Sequence, residues 1–146
     1  MDYQYKEQMN NLIRKIRRVL EEYGVKLAVL YGSVAINRAG PLSDIDIAII
    51  PSDEIELELL ICDLAKALSV LEDKIDVIII DDELPYELLY NIFSDGILIL
   101  GDKALFEELK VKYAEKYWDL KEFIRIHKLY DAYIEHLKER KKSWEH

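Results

Sequence analysis

Four short apolar runs constrain the fold of this chain more than any other feature: Val25–Tyr31, Asp44–Ile50, Ile75–Ile80 and Ile97–Leu100. Each is four to seven residues long, rich in Ile, Val and Leu, and bounded by Gly, Pro, Asp or Ser. That is the signature of short buried strands rather than helices. The stretches between and around them carry helical periodicity. Residues 4–23 place Met9, Leu12, Ile13, Ile16, Val19, Leu20 and Tyr23 at helical spacing, and Gly24 offers a stop. Leu57, Leu60, Ile61, Leu64, Ala65 and Leu68 share one helical face, with Asp53 and Glu56 in capping-box spacing before them. Pro85 suits the first turn of a short helix bearing Leu88, Leu89, Ile92 and Phe93.

The connections set the topology. A strand–helix–strand unit from Asp44 to Ile80 calls for a right-handed parallel crossover. The loop between the first two runs is too short for one, so those strands pair antiparallel. The expected fold class is α+β: a small mixed sheet packed with helices, followed by C-terminal helices. Residues 102–142 read as helical throughout, as two helices with a break near Trp118-Asp119. The organisation is one domain over residues 1–146, with a core at about 10–100 and a helical extension at about 102–142.

Composition excludes several functions. The 146 residues carry a formal net charge of −9, which argues against general duplex binding. The basic clusters Arg14-Lys15-Ile16-Arg17-Arg18 and Lys138-Glu139-Arg140-Lys141-Lys142 read as solvated helix faces. A single cysteine, Cys62, rules out an intrachain disulfide and reads as inert core filling. The polar N-terminus and the lack of a spanning apolar run lead to the expectation of a cytoplasmic protein with no membrane partner. Many Glu and Lys with few Gln and Asn hint at a thermophilic source.

Asp44-Ile45-Asp46 is the most informative tripeptide. Side chains two apart in a strand share a face, so Asp44 and Asp46 present paired carboxylates while Ile45 and Ile47 point into apolar packing. Asp is disfavoured in strands, and such a break of the local rule tends to mark function. Adjacent carboxylates repel unless a cation intervenes, and Mg²⁺ binds through one or two carboxylates plus substrate phosphates. Read alone, the same pattern also fits a turn cap or a solvent-facing strand start. Asp76 opens the third run. If the second and third strands are close, it joins the pair, and three carboxylates then hold two metal ions and help to accept a proton from an attacking hydroxyl. Gly32-Ser33 ends the first strand in a sharp turn, where backbone N–H groups and a hydroxyl can grip phosphate oxygens.

Gly32-Ser33, ten intervening residues and then Asp44-Ile45-Asp46, with a third Asp on a later strand, resembles the signature of the DNA polymerase beta-like nucleotidyltransferase superfamily. The small size is similar to that of the minimal nucleotidyltransferases (MNT). The resemblance spans roughly residues 10–100. It implies transfer of AMP from ATP to a hydroxyl with Mg²⁺ as cofactor, and a catalytic and metal-binding role for Asp44, Asp46 and Asp76. For Gly32 and Ser33 it implies nucleotide binding. It further implies an antitoxin partnered with a HEPN-domain ribonuclease, with a tyrosine of that toxin as acceptor. Two alternatives remain: the same chemistry on a small molecule such as an aminoglycoside, and an antitoxin acting by contact alone. Many relatives carry Ala-Arg-Gly after Gly-Ser, where this chain has Ala35-Ile36-Asn37 with Arg38 next. Asn tolerates the left-handed conformation of Gly, but Ile36 does not replace a guanidinium.

Two further groups stand out. His127 and Asp131, one helical turn apart, lack a third ligand and read as packing or surface groups. Tyr113, Tyr117, Trp118, Phe123, Tyr130 and Tyr133 crowd the C-terminal helices, where they serve either helix packing or a partner surface.

Overall fold

The computed structural model describes residues 2–36 and 44–145; the expectations placed on Asn37 and Arg38 lie outside the described residues. Helix α1 (Asp2–Glu22) buries Ile16 and Leu20 completely and ends at Gly24, whose φ of +67° reverses the chain. Strand β1 (Val25–Tyr31) follows, then the four-residue turn α2 (Gly32–Ala35) and strand β2 (Ile45–Pro51). Helix α3 (Leu57–Leu68) leads through a single 3-10 turn (Glu72–Lys74) to β3 (Ile75–Ile79). Helix α4 (Tyr86–Asp95), β4 (Ile97–Leu100) and α5 (Lys103–Glu145) complete the chain.

The four strands form one mixed sheet in the order β3-β2-β1-β4. β1 pairs antiparallel with β2 and with β4, and β2 pairs parallel with β3, as the connection lengths require. Strand alternation splits the core in two. Ala28, Leu30, Ile47, Ile49, Ile75 and Val77 face α1 and α3. Leu27, Val29 and Ala48 face α4 and α5, where Leu89, Ile92, Phe93, Phe106 and Tyr113 close over them. Being covered on both faces is why β1 and β2 read as nearly continuous apolar runs.

Three local expectations fail, each for a visible reason. Asp53 and Glu56 form no capping box: Glu56 itself is the N-cap of α3, with extended backbone and no side-chain cap bond. Ile55 packs against the α1–α3 core, and the chain bends at Ser52 and Asp53 and becomes helical only after Glu56. Pro85 sits one residue before α4 rather than in its first turn, with its carbonyl accepting from the Leu89 N–H at 3.1 Å. The C-terminal segment is one helix of 43 residues, not two. It is capped at its start by Asp102, whose side chain accepts from the Ala104 N–H at 3.0 Å, and contains no Gly or Pro to break it. What changes at Trp118 is the packing, not the backbone. Up to there α5 lies on α4; beyond it nearly every residue is exposed.

Cys62 is half-buried on α3 rather than in the core, and a hydrogen bond to Glu72 pushes its thiol pKa up. Arg14, Lys15, Arg17 and Arg18 are all exposed, as a solvated helix face requires, and Arg17 makes one further contact. It donates to the Ile99 carbonyl at 2.7 Å and so covers part of the edge strand β4. Among the described residues no helix is long and apolar enough to cross a membrane.

Candidate active site

Asp46 and Asp76 are direct register partners across the parallel β2–β3 pair. Tyr31 is the register partner of Asp46 on the other side, across the antiparallel β1–β2 pair. The three side chains therefore form a row across β1, β2 and β3. By alternation with Val29, Ala48 and Ile78, the row lies on the α4–α5 face of the sheet. Asp44 is exposed just ahead of β2, near enough for its charge to act on Asp46. The sheet thus sets Asp46 and Asp76 side by side, with Asp44 just ahead of the strand that carries Asp46.

Gly32 closes over this row. It has φ +76°, and a Cβ built on it would stand 2.3 Å from Asp46 Oδ2. Gly is required here twice, for the left-handed turn and for the approach of the backbone to the carboxylate. Tyr31 enters the turn with extended backbone (φ −135°, ψ −174°), and Ser33 follows in the single turn α2, partly exposed. The first N–H groups of such a turn have no acceptor within it. Tyr5 of α1 donates its hydroxyl to the Val34 carbonyl at 3.4 Å, which ties the turn to the body of the fold.

The electrostatics are those of crowded negative charge. Burial, then Asp76, then Asp44 push the Asp46 carboxyl up to about 6. Burial, then Asp46 and Asp76, push the Tyr31 hydroxyl up to about 12. Tyr31 was not singled out as a site residue from sequence. Its position before Gly32 is the only local signal, since its place beside Asp46 depends on strand register. Among the described residues no group of three His, Cys, Asp or Glu is already arranged to hold a metal ion, and His127 with Asp131 is no exception. A surface depression of about 540 Å³ is lined by Trp118, Lys121, Glu122, Ile124, Arg125 and Lys128 of α5 alone and includes none of the carboxylates.

Residues 14–104 match the family described as polymerase beta, nucleotidyltransferase. That is more than half of the chain, and the chain belongs to this family: it is a nucleotidyltransferase. No curated protein matches it. Among solved structures it is similar to a toxin–antitoxin crystallised with AMP-PNP, at 24% identity and a TM-score of 0.63, over 75% of this chain and 89% of that one. It is similar as well to a chain from the complex of a tri-AMPylated Shewanella oneidensis HEPN toxin with its MNT antitoxin, at 24% identity and a TM-score of 0.59, over 78% and 89% of the two chains. A mutant MntA–HpeT toxin–antitoxin gives 25% identity and a TM-score of 0.59, over 74% and 87%.

Proposed function

We propose that this nucleotidyltransferase uses Mg²⁺ and ATP to place AMP on a hydroxyl of a partner protein, and that the partner is a HEPN-domain ribonuclease toxin which the modification silences. The observation that carries the reading is the row of Asp46 and Asp76 beneath Gly32, with Asp44 beside it. The similarity to chains from toxin–antitoxin complexes, one with AMP-PNP and one with an AMPylated HEPN toxin, supports the choice of nucleotide and partner.

The carboxylates fit a hard divalent cation. Burial, and after it the charges of Asp76 and Asp44, raise the Asp46 carboxyl, so the site disfavours its own negative charge and gains from a positive ion. Asp44, Asp46 and Asp76 would hold Mg²⁺ together with substrate phosphates, which is how Mg²⁺ is usually bound. Bound there, it supplies charge neutralisation at the phosphates and lowers the cost of deprotonating a hydroxyl. The residues of the chain do the rest. Gly32 and Ser33 orient the triphosphate through backbone N–H groups and the Ser33 hydroxyl. The acceptor oxygen attacks the α-phosphorus, the bond to the bridging oxygen of the β-phosphate breaks, and pyrophosphate leaves. The acceptor proton passes to Asp76, the most exposed partner in the row. On the toxin, an AMP ester puts a bulky anion where RNA phosphates must bind.

Two expected results test this. Ser33→Ala lowers the transfer rate by roughly one to two orders of magnitude, as for loss of one hydrogen bond to a charged group; a nucleotidyl adduct found on Ser33 by peptide mass spectrometry shows it to be a nucleophile instead. Intact-mass analysis of the HEPN partner, after incubation with this chain, ATP and Mg²⁺, gains one or more AMP increments on tyrosine. A partner inhibited by stoichiometric binding yet unmodified overturns the catalytic reading.

A further inference from the structure

Beyond Trp118 nearly every described residue of helix α5 is exposed, yet it is not a polar helix. Phe123, Ile126, Tyr130, Tyr133, Leu137 and Trp144 all lie exposed on one stripe, with Tyr130 at 61% and Tyr133 at 58%. Their spacing is three, four, three and four residues from Phe123 to Leu137, then seven to Trp144, with Arg140 at the intermediate position. A strict alternation of this kind is the seam of a two-helix coiled coil, and it asks for another long helix lying nearly parallel to the axis. The opposite face carries Lys121, Arg125, Lys128, Glu135 and Glu139, with Ile124 as an isolated exposed apolar side chain among them. Isolated apolar side chains on a surface need no explanation, but a continuous stripe of this size does.

We infer that this chain self-associates through Phe123–Trp144, as an antiparallel pair of α5 helices from two copies. Charge selects the orientation. A parallel pair sets Arg140 against Arg140 in the seam and gathers both Lys138–Lys142 clusters at one end. An antiparallel pair with Tyr130 level with the second copy's Tyr133 sets Ile126 against Leu137. It also places Arg140 in the hole formed by Phe123 and Asp119 of the other helix, a cation–π contact and an ion pair in one. The area is sufficient. Six side chains, four of them aromatic, expose on the order of 800 Å² per copy. Their burial in a pair removes on the order of 1,600 Å², the size of a standard specific interface. The two catalytic bodies then sit at opposite ends of the paired segment, about 33 Å long for 22 residues.

The test uses the full chain alone. Light scattering and sedimentation at about 50 µM show a dimer with a dissociation constant in the low micromolar range. Tyr130→Glu with Tyr133→Glu weakens it by about 100-fold or more. Both side chains are exposed, so helicity by circular dichroism and nucleotidyl transfer to a partner are unchanged, which keeps this result separate from the fate of the proposed function. Orientation is read by disulfide trapping in a Cys62→Ser background. Ile126→Cys and Leu137→Cys link to each other when mixed, and neither links to itself. A monomer at that concentration overturns the inference, whatever other protein covers the stripe, and self-linking of Ile126→Cys overturns the antiparallel orientation.

Discussion

Asp46→Asn abolishes nucleotide transfer, by roughly 10³-fold or more, and at the same time makes the free protein more stable. The two effects have one cause. Asp46 sits half-buried between Asp76, its register partner, and Asp44, and burial with those two charges raises its carboxyl to about 6. The native state therefore holds a proton on Asp46 more tightly than the unfolded chain does. Between the ordinary carboxylate range and about pH 6 it binds the extra proton, so the contribution of Asp46 to stability is present at low pH and is lost as pH rises through about 6. Asn carries no charge to repel. Its gain over wild type is complete above that pH, worth about 1 kcal/mol once solvent screening is allowed for, and about 3 °C in Tm. The gain shrinks as pH falls below 6 and vanishes only at about pH 3, below the ordinary carboxylate range, where both native and unfolded carboxyls are protonated. Thermal melts of the two proteins at about pH 4, 5, 6 and 7.5, without divalent ions, read this directly. Mg²⁺ with ATP reverses the order, raising the Tm of wild type and not of the variant, because a ligand bound only by the native state stabilises it. Asp44→Asn loses transfer in the same way but gains less stability, since Asp44 is exposed. Transfer by Asp46→Asn at near the wild-type rate removes Asp46 from the chemistry and with it the metal-binding role.

Gly32→Ala is the second large effect, and here activity and stability fall together. The φ of +76° costs a Cβ-bearing residue about 1–2 kcal/mol. The new methyl would also stand 2.3 Å from Asp46 Oδ2. That atom is the end of a side chain, so the clash is relieved by rotating the carboxylate rather than by moving strands. The stability loss therefore stays at about 1–2 kcal/mol, the backbone term alone. Activity falls by about 100-fold or more, because the carboxylate that must meet the metal and the phosphates is turned away. The diagnostic is the comparison with Asp46→Asn: both are inactive, but one melts higher than wild type and the other lower. A Gly32→Ala protein with wild-type turnover places the Gly32 turn outside the site.

Much of this was legible along the chain. The strand positions, the antiparallel β1–β2 pair and the parallel β2–β3 pair follow from run lengths and connection lengths, and the structure has them. The pairing of Asp44 with Asp46 needs only two-residue alternation. Gly32 and Ser33 were recognisable by their spacing from that pair, although the reason for Gly32 was visible only in part: the turn was evident, the carboxylate beneath it was not. Helix starts were less legible. The Asp53–Glu56 spacing is a common capping pattern, but Ile55 is drawn into the core and α3 starts only after Glu56, a tertiary demand that overrides the local motif. The expected break at Trp118-Asp119 mistook a change of environment for a change of backbone.

The sequence alone determined what depends on near neighbours: where the chain is extended or helical, which side chains share a face, and that a pair of carboxylates opens β2. Only the tertiary structure decided which face of the sheet carries Asp46, that Asp76 lies beside it in register, and that Tyr31 forms the third member of the row. Strand register is set by burying both faces of the sheet at once under α1, α3, α4 and α5, and a slip of one residue would turn every one of these side chains to the opposite side. No single segment contains that information, because it is the sum of the packing of all of them.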